Sequence, residues 1–183
     1  MNGRSDLFRM ARPVSPAQTA IRAHVAAFCN APGCALDPTL AQLTARGARL
    51  SVFPLRHLPL DWFDRHATAF DIALIDADFL GDKVAMIDFG MRLRRFAPEL
   101  PLVMLSSQIT ASDRSTERMA FCDVTLRLPL QEMDLIDTFA IALENHAYWR
   151  DSRHESRLLP PRTPRAPPLP LSGDDARDSP PTD

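Results

Sequence analysis

Two short apolar runs, Ile72–Ile75 and Leu102–Leu105, flank a helix-length segment in which apolar residues recur at helical spacing. Runs of this length, rich in Ile, Val and Leu, predict two parallel strands joined by a crossover helix. Such a sheet is covered on both faces. The rest of the chain repeats the unit. His24–Phe28 predicts a first strand. Asp37-Pro38 then opens a helix, with Asp37 as N-cap, Pro38 at the first helical position and Gly47 as the stop. Ala48–Phe53 predicts a second strand, and Leu60–Ala67 a short helix in which Trp62, Phe63 and His66 share a face. The third helix covers Asp82–Phe96. Val84, Ile87, Met91 and either Phe89 or Leu93 form its apolar stripe, and Arg92, Arg94 and Arg95 form a solvated, positive carboxyl end. A fourth helix is expected over Asp113–Phe121, capped by Ser112 or Asp113. Val124–Arg127 predicts the fifth strand. A fifth helix runs from Glu132 to Arg157, with Leu135, Ile136, Phe139, Leu143 and Ala147 along its apolar side.

Strand and helix thus alternate five times. With right-handed crossovers this is an α/β domain with a doubly wound, five-stranded parallel sheet over residues 23–157. Residues 1–22 lack periodicity and are expected to form a flexible arm, with one helical turn near Ala17–Arg22. After Leu159 the chain turns proline-rich, with eight prolines and almost no core formers, so 158–183 reads as a disordered tail.

Composition narrows the function classes. A net charge of −2 gives no general attraction to nucleic acid or anionic membrane. No run approaches the roughly 20 apolar residues of a membrane helix, and no apolar leader is visible. The three cysteines, Cys29, Cys34 and Cys122, form no CxxC pair, which fits a reduced, cytoplasmic protein. Cys29 and Cys34 flank a Pro-Gly loop, so a reversible disulfide between them is a minor alternative. The basic residues are twenty Arg and one Lys, Lys83.

In open α/β sheets, ligands gather beyond the carboxyl ends of the strands. Asp76, Ser106 and Ser107 fall there. FDIALID ending at Asp76, PELPLVMLSS ending at Ser106 and Ser107, and TLRLPL before Pro129 resemble the third, fourth and fifth strands of bacterial response regulator receiver domains. The resemblance extends over nearly all of 23–157 and implies a flavodoxin-like fold. It also implies Asp76 as phosphoacceptor, Ser106 as the phosphate-contacting switch hydroxyl and a cis Leu128-Pro129 bond. In that family a carboxylate attacks phosphorus only because magnesium, an acidic pair after the first strand and a lysine after the fifth neutralise the negative oxygens. Here the acidic pair's positions hold Cys29 and Asn30, and the lysine position holds Leu128. Arg127 would point away from Leu128's face, and Lys83 lies in the third helix. Asp78 and Asp82 are a remote substitute for the missing metal ligands.

The expectation is a degenerate receiver: a non-catalytic signalling module of a bacterial two-component or phosphorelay pathway, with no cofactor. Its partner is another signalling protein, or a second copy, on the surface of the fourth helix, fifth strand and fifth helix (Ser112–Trp149). The alternative is an atypical response regulator that accepts phosphate on Asp76 from a sensor histidine kinase, with magnesium.

Overall fold

A computed structural model of the protein describes residues 20–30, 32–57 and 60–158. Its elements are β1 (His24–Phe28), α1 (Asp37–Ala45), β2 (Arg49–Phe53), α2 (Leu60–His66), β3 (Ile72–Asp76), the single turn α3 (Ala77–Leu80), α4 (Lys83–Phe96), β4 (Leu102–Ser106), β5 (Val124–Arg127) and α5 (Glu132–Leu158). The strands form one parallel sheet in the order β2-β1-β3-β4-β5.

The period of two along each strand divides the core between the two faces. Val25, Ala27, Ile72, Leu74, Val103, Leu105 and Leu126 meet Leu40 and Leu43 of α1 and Leu135 and Ala142 of α5. Ala26, Phe28, Ala73, Ile75, Leu102 and Met104 meet Phe63 of α2 and Leu93 of α4. Central β3 and β4 are buried along their whole length, whereas the edge strand β2 leaves Val52 exposed. This is the doubly wound α/β sheet that the alternating pattern predicts.

Several local expectations are corrected. The fourth helix over Asp113–Phe121 does not form; only a 3-10 turn, Thr116–Arg118, is helical there. Asp113 instead lies antiparallel beside Thr125, exchanging N–H···O bonds of 2.7 and 2.8 Å with it, and covers the exposed edge of β5. The Asp113 carboxylate takes Ser115 N–H and O–H at 2.9 and 2.7 Å and pairs with Arg118 at 2.8 Å. Short polar side chains that bond their own backbone compete with helix in this way. α4 meets the same segment at Gly90, where a Cβ would run into the Phe121 carbonyl oxygen, so the close approach depends on glycine.

The apolar stripe of α4 is also not the expected one. Leu93 and Gly90 are buried and Met86 and Phe89 pack on the core, while Val84 (76% exposed), Ile87 and Met91 face outward. The helix carries two apolar stripes, and only contact with the sheet chooses between them. On α5, Leu135, Thr138 and Ala142 are buried, but Leu143 and Ala147 are exposed. In α1, Leu36 is the cap residue and Asp37 the first helical one. The Asp37 carboxylate ties the preceding loop instead, accepting Gly33 N–H at 2.6 Å.

Ile21, placed in the flexible arm, is buried and donates to the Arg46 carbonyl at 3.0 Å, so the ordered domain begins at least two residues earlier than expected. The rest of the arm before residue 20, and the Pro-rich tail after Leu158, lie outside the described residues. Residues 20–22 carry no helix. Among the described residues no helix is long and apolar enough to cross a membrane.

Candidate functional site

The carboxyl ends of β1, β3, β4 and β5 bring the candidate residues to one edge of the sheet. Asp76 is the last residue of β3, and its register partner in β4 is Leu105, one residue before Ser106. Asp76 is 4% exposed and caps α3, accepting Phe79 N–H at 3.3 Å. Burial pushes its carboxyl above the ordinary value of 3.8; the Phe79 bond opposes the shift and the nearby Asp78 charge adds to it.

Asp78 organises this edge. Its carboxylate accepts the Ser106 hydroxyl at 2.5 Å and Ser107 N–H at 2.8 Å. Ser106 Oγ in turn accepts Gln108 N–H at 3.0 Å. Partial burial works to raise the Asp78 carboxyl. The bonds from Ser106, Ser107 and Gln108 outweigh that and hold it below its usual value. Ser106 and Ser107 therefore spend their donors on a carboxylate from the same chain. Asp78 entered the sequence reading only as a remote metal ligand. The signal that could have found its role is position: it lies in the first turn after β3, two residues beyond Asp76, beside the carboxyl end of β4.

Cys29, Asn30 and Leu128 lie just beyond the carboxyl ends of β1 and β5. Cys29 follows β1, is fully buried and donates its N–H to the Phe53 carbonyl at 3.1 Å. Asn30 is half-buried, and its Nδ2 has no partner among the described residues. Leu128 turns into the core on the α1/α5 side, with its N–H on the Ser106 carbonyl at 2.8 Å. The Leu128-Pro129 bond is cis. Arg127 is exposed and reaches the Thr110 carbonyl at 3.2 Å. Lys83 lies at the start of α4, and Asp82 caps that helix through Ala85 N–H at 2.8 Å. Arg56 lies over the Phe79 ring, 5.5 Å from its centre.

A magnesium site of the receiver type is not supported by this donor set. Magnesium asks for hard oxygens in near-octahedral order. Cys29 offers sulfur, Asn30 is a neutral amide in place of an acid, and the Asp78 and Asp82 carboxylates are engaged with Ser106, Ser107 and the Ala85 amide. No three or more His, Cys, Asp or Glu side chains are grouped to hold a metal among the described residues. None of the cysteines is in a disulfide. The Cys34 thiol is pushed up to about 12, first by burial and then by hydrogen bonds with Cys29 and Asp37, which keeps it from the thiolate form that disulfide exchange requires.

The opposite, amino end of the sheet holds a charged cluster that sequence reading missed. Arg94 was read as part of a solvated helix end, yet it is 2% exposed. It donates to Asp123 at 2.6 Å and to His146 Nδ1 at 2.8 Å, and it lies 4.3 Å over the Trp149 ring. A guanidinium has no acceptor, so Nδ1 accepts and the ring proton is assigned to Nε2. The 3.4 Å approach of Nδ1 to Asp123 Oδ2 is then a contact between two acceptors. Asp123 also accepts the N–H of Leu102, the first residue of β4, at 2.6 Å.

No family model matches the chain, and no curated protein matches it. Solved structures do. NtrX from Brucella abortus superposes with a TM-score of 0.50 at 16% identity, over 75% of this chain and 30% of that one. The signal receiver domain of a modulated diguanylate cyclase from Desulfovibrio desulfuricans gives 0.47 at 18% identity, over 70% and 98%. A CheY-like response regulator from Mesorhizobium loti gives 0.42 at 19% identity, over 67% and 99%. The chain spans under a third of the length of NtrX. It has the flavodoxin-like fold of response regulator receiver domains, and at these identities the likeness speaks for the fold alone.

Proposed function

We propose that the protein is a receiver-like signalling module of a bacterial two-component-type pathway, cytoplasmic and non-catalytic, that acts by binding another protein. The observation that carries this reading is the Asp78 carboxylate on the Ser106 hydroxyl and the Ser107 amide. An incoming phosphoryl group would need those donors, plus cations to offset its charge. The donors are engaged, Leu128 is apolar and turned into the core, and Arg127, the register partner of Ser106, spends a guanidinium nitrogen on the Thr110 carbonyl. The partner is a signalling protein or a second copy. Its surface is the outer side of β5 and α5, where the segment around Asp113 replaces a helix and Leu143 and Tyr148 stand exposed. Exposed large apolar and aromatic side chains are the material of interface cores.

One observation favours the alternative, an Asp76 that accepts phosphate from a histidine kinase with magnesium. Asp76 remains at the end of β3, and its carboxylate accepts hydrogen bonds from the backbone of Phe79 and Asp78. Intact mass after incubation with acetyl phosphate and magnesium separates the two. The non-catalytic reading expects no phosphate-sized gain in the wild type or in Asp76→Asn. A gain in the wild type alone overturns it.

A further inference from the structure

We propose that the cleft between the carboxyl end of α4 and the last turns of α5 binds a phosphate dianion, either free or as the monoester headgroup of a small molecule. The cleft has a volume of about 260 Å³ and is lined by Arg94, Arg95, Glu99, Trp149, Arg150 and Arg153, among others. It lies at the amino end of the sheet, away from Asp76 and Ser106, and does not depend on how that edge is read.

The charge balance gives the ligand's sign and valence. Arg94 is matched by Asp123 at 2.6 Å and Arg150 by Glu99 at 2.8 Å. Arg95 has no carboxylate partner among the described residues, and the guanidinium of Arg153 meets the Trp149 ring, 4.8 Å from its centre. Among the described residues two cations are thus left without a carboxylate on one concave wall, which suits a dianion. Guanidinium forks match phosphate oxygens in bidentate geometry.

Packing supplies the preorganisation. Arg94 is fixed by Asp123 and His146 and backs Trp149, and Trp149 in turn holds Arg153. A stacked arginine loses less freedom on binding than a free one. The Trp149 ring is already engaged by two guanidiniums, so it is a plate for the cations rather than a platform for a nucleobase. The volume points the same way, since it falls below the usual span of about 300–1,000 Å³ for drug-sized ligands. Both observations favour a phosphate headgroup over a whole nucleotide.

The rival explanation is that these arginines only complement the helix carboxyl ends. Amide chemical-shift titration of the ¹⁵N-labelled full chain separates the two. The probes are inorganic phosphate and glycerol phosphate, with sodium chloride at matched ionic strength and acetate as controls. The proposal expects saturable shifts at Arg95, Arg150 and Arg153 with either phosphate, and weakening by about tenfold or more in Arg95→Ala and in Arg153→Gln. Both side chains are exposed, so the variants should keep the wild-type fold, checked by circular dichroism. Tighter binding of glycerol phosphate identifies an organic ester as the ligand, and tighter binding of inorganic phosphate identifies the free ion. Shifts that stay linear to about 10 mM, that chloride reproduces, or that persist unchanged in both variants overturn the site.

Discussion

The two ends of the sheet both bury an aspartate beside the start or finish of a strand, and they compensate it differently. At the amino end, Asp123 is met by the Arg94 guanidinium, with the Leu102 amide as a second donor. At the carboxyl end, Asp76 and Asp78 are met by backbone amides and a serine hydroxyl. The first arrangement cancels charge and locks three elements together. The second disperses charge over neutral donors and leaves two carboxylates within electrostatic reach of each other. The amino end should therefore respond to mutation through loss of folding, and the carboxyl end through pH.

The largest effect is expected from Arg94→Met. It leaves Asp123 buried without its cation, and breaking such a pair costs about 3–5 kcal/mol. Urea denaturation checks it; a loss below about 1 kcal/mol would mean that the Asp123 charge is not confined as described. Next is Gly90→Ala, where the added methyl meets the Phe121 carbonyl. Overpacking of this kind costs about 1–3 kcal/mol, and it should loosen the segment covering β5, seen as faster amide exchange at Asp113 and Thr125. Ser106→Ala removes one donor from Asp78 and is expected to cost about 1 kcal/mol, since the carboxylate keeps the Ser107 amide and some solvent.

The smallest effects carry the clearest sign. The folded Asp78 carboxyl is held below its ordinary 3.8, so its stabilisation is present above that value and is lost as pH falls through the lower folded value. The Asp76 carboxyl is raised, so ionising it works against the fold above the raised value, and the penalty disappears on acidification. Asp76→Asn should raise the melting temperature near neutral pH, with the gain fading as pH drops through the raised folded value toward 3.8. Asp78→Asn should lower it near neutral pH, with the loss fading below 3.8. Melting temperatures of both variants relative to wild type, followed across pH 3 to 7, would start on opposite sides of zero near neutrality and converge on acidification; parallel trends would remove the contrast between the two carboxyls.

Much of the sheet was legible because period-two burial and β-branched runs are local signals. His24–Phe28 and Val124–Arg127 have the expected bounds, and the other strands differ by a residue at one end. The helices were legible in place but not in rotation. Val84, Ile87 and Met91 on α4 offer as good an apolar stripe as Met86, Phe89 and Leu93, and a helix with two stripes is turned by its neighbours. The lost fourth helix illustrates the same limit: nothing local to Asp113–Phe121 announces that the edge of β5 needs a cover. At the candidate site, Asp76, Ser106, Cys29, Asn30 and Leu128 all lie at or just beyond the carboxyl ends of their strands, and those ends were legible because strand ends are local signals. The partner of Ser106 was not legible, because Asp78 meets it 28 residues away in the chain.

By itself, then, the amino-acid order determined the number, direction and burial of the strands and the candidate residues at their ends, since each follows from neighbours along the chain. The tertiary structure alone decided which face of α4 and α5 turns inward, that Arg94 is buried on Asp123 rather than solvated, and that Asp78 closes on Ser106 and Ser107. Those outcomes depend on charges and donors far apart in sequence, whose pairing is settled only when the sheet brings its two ends into register.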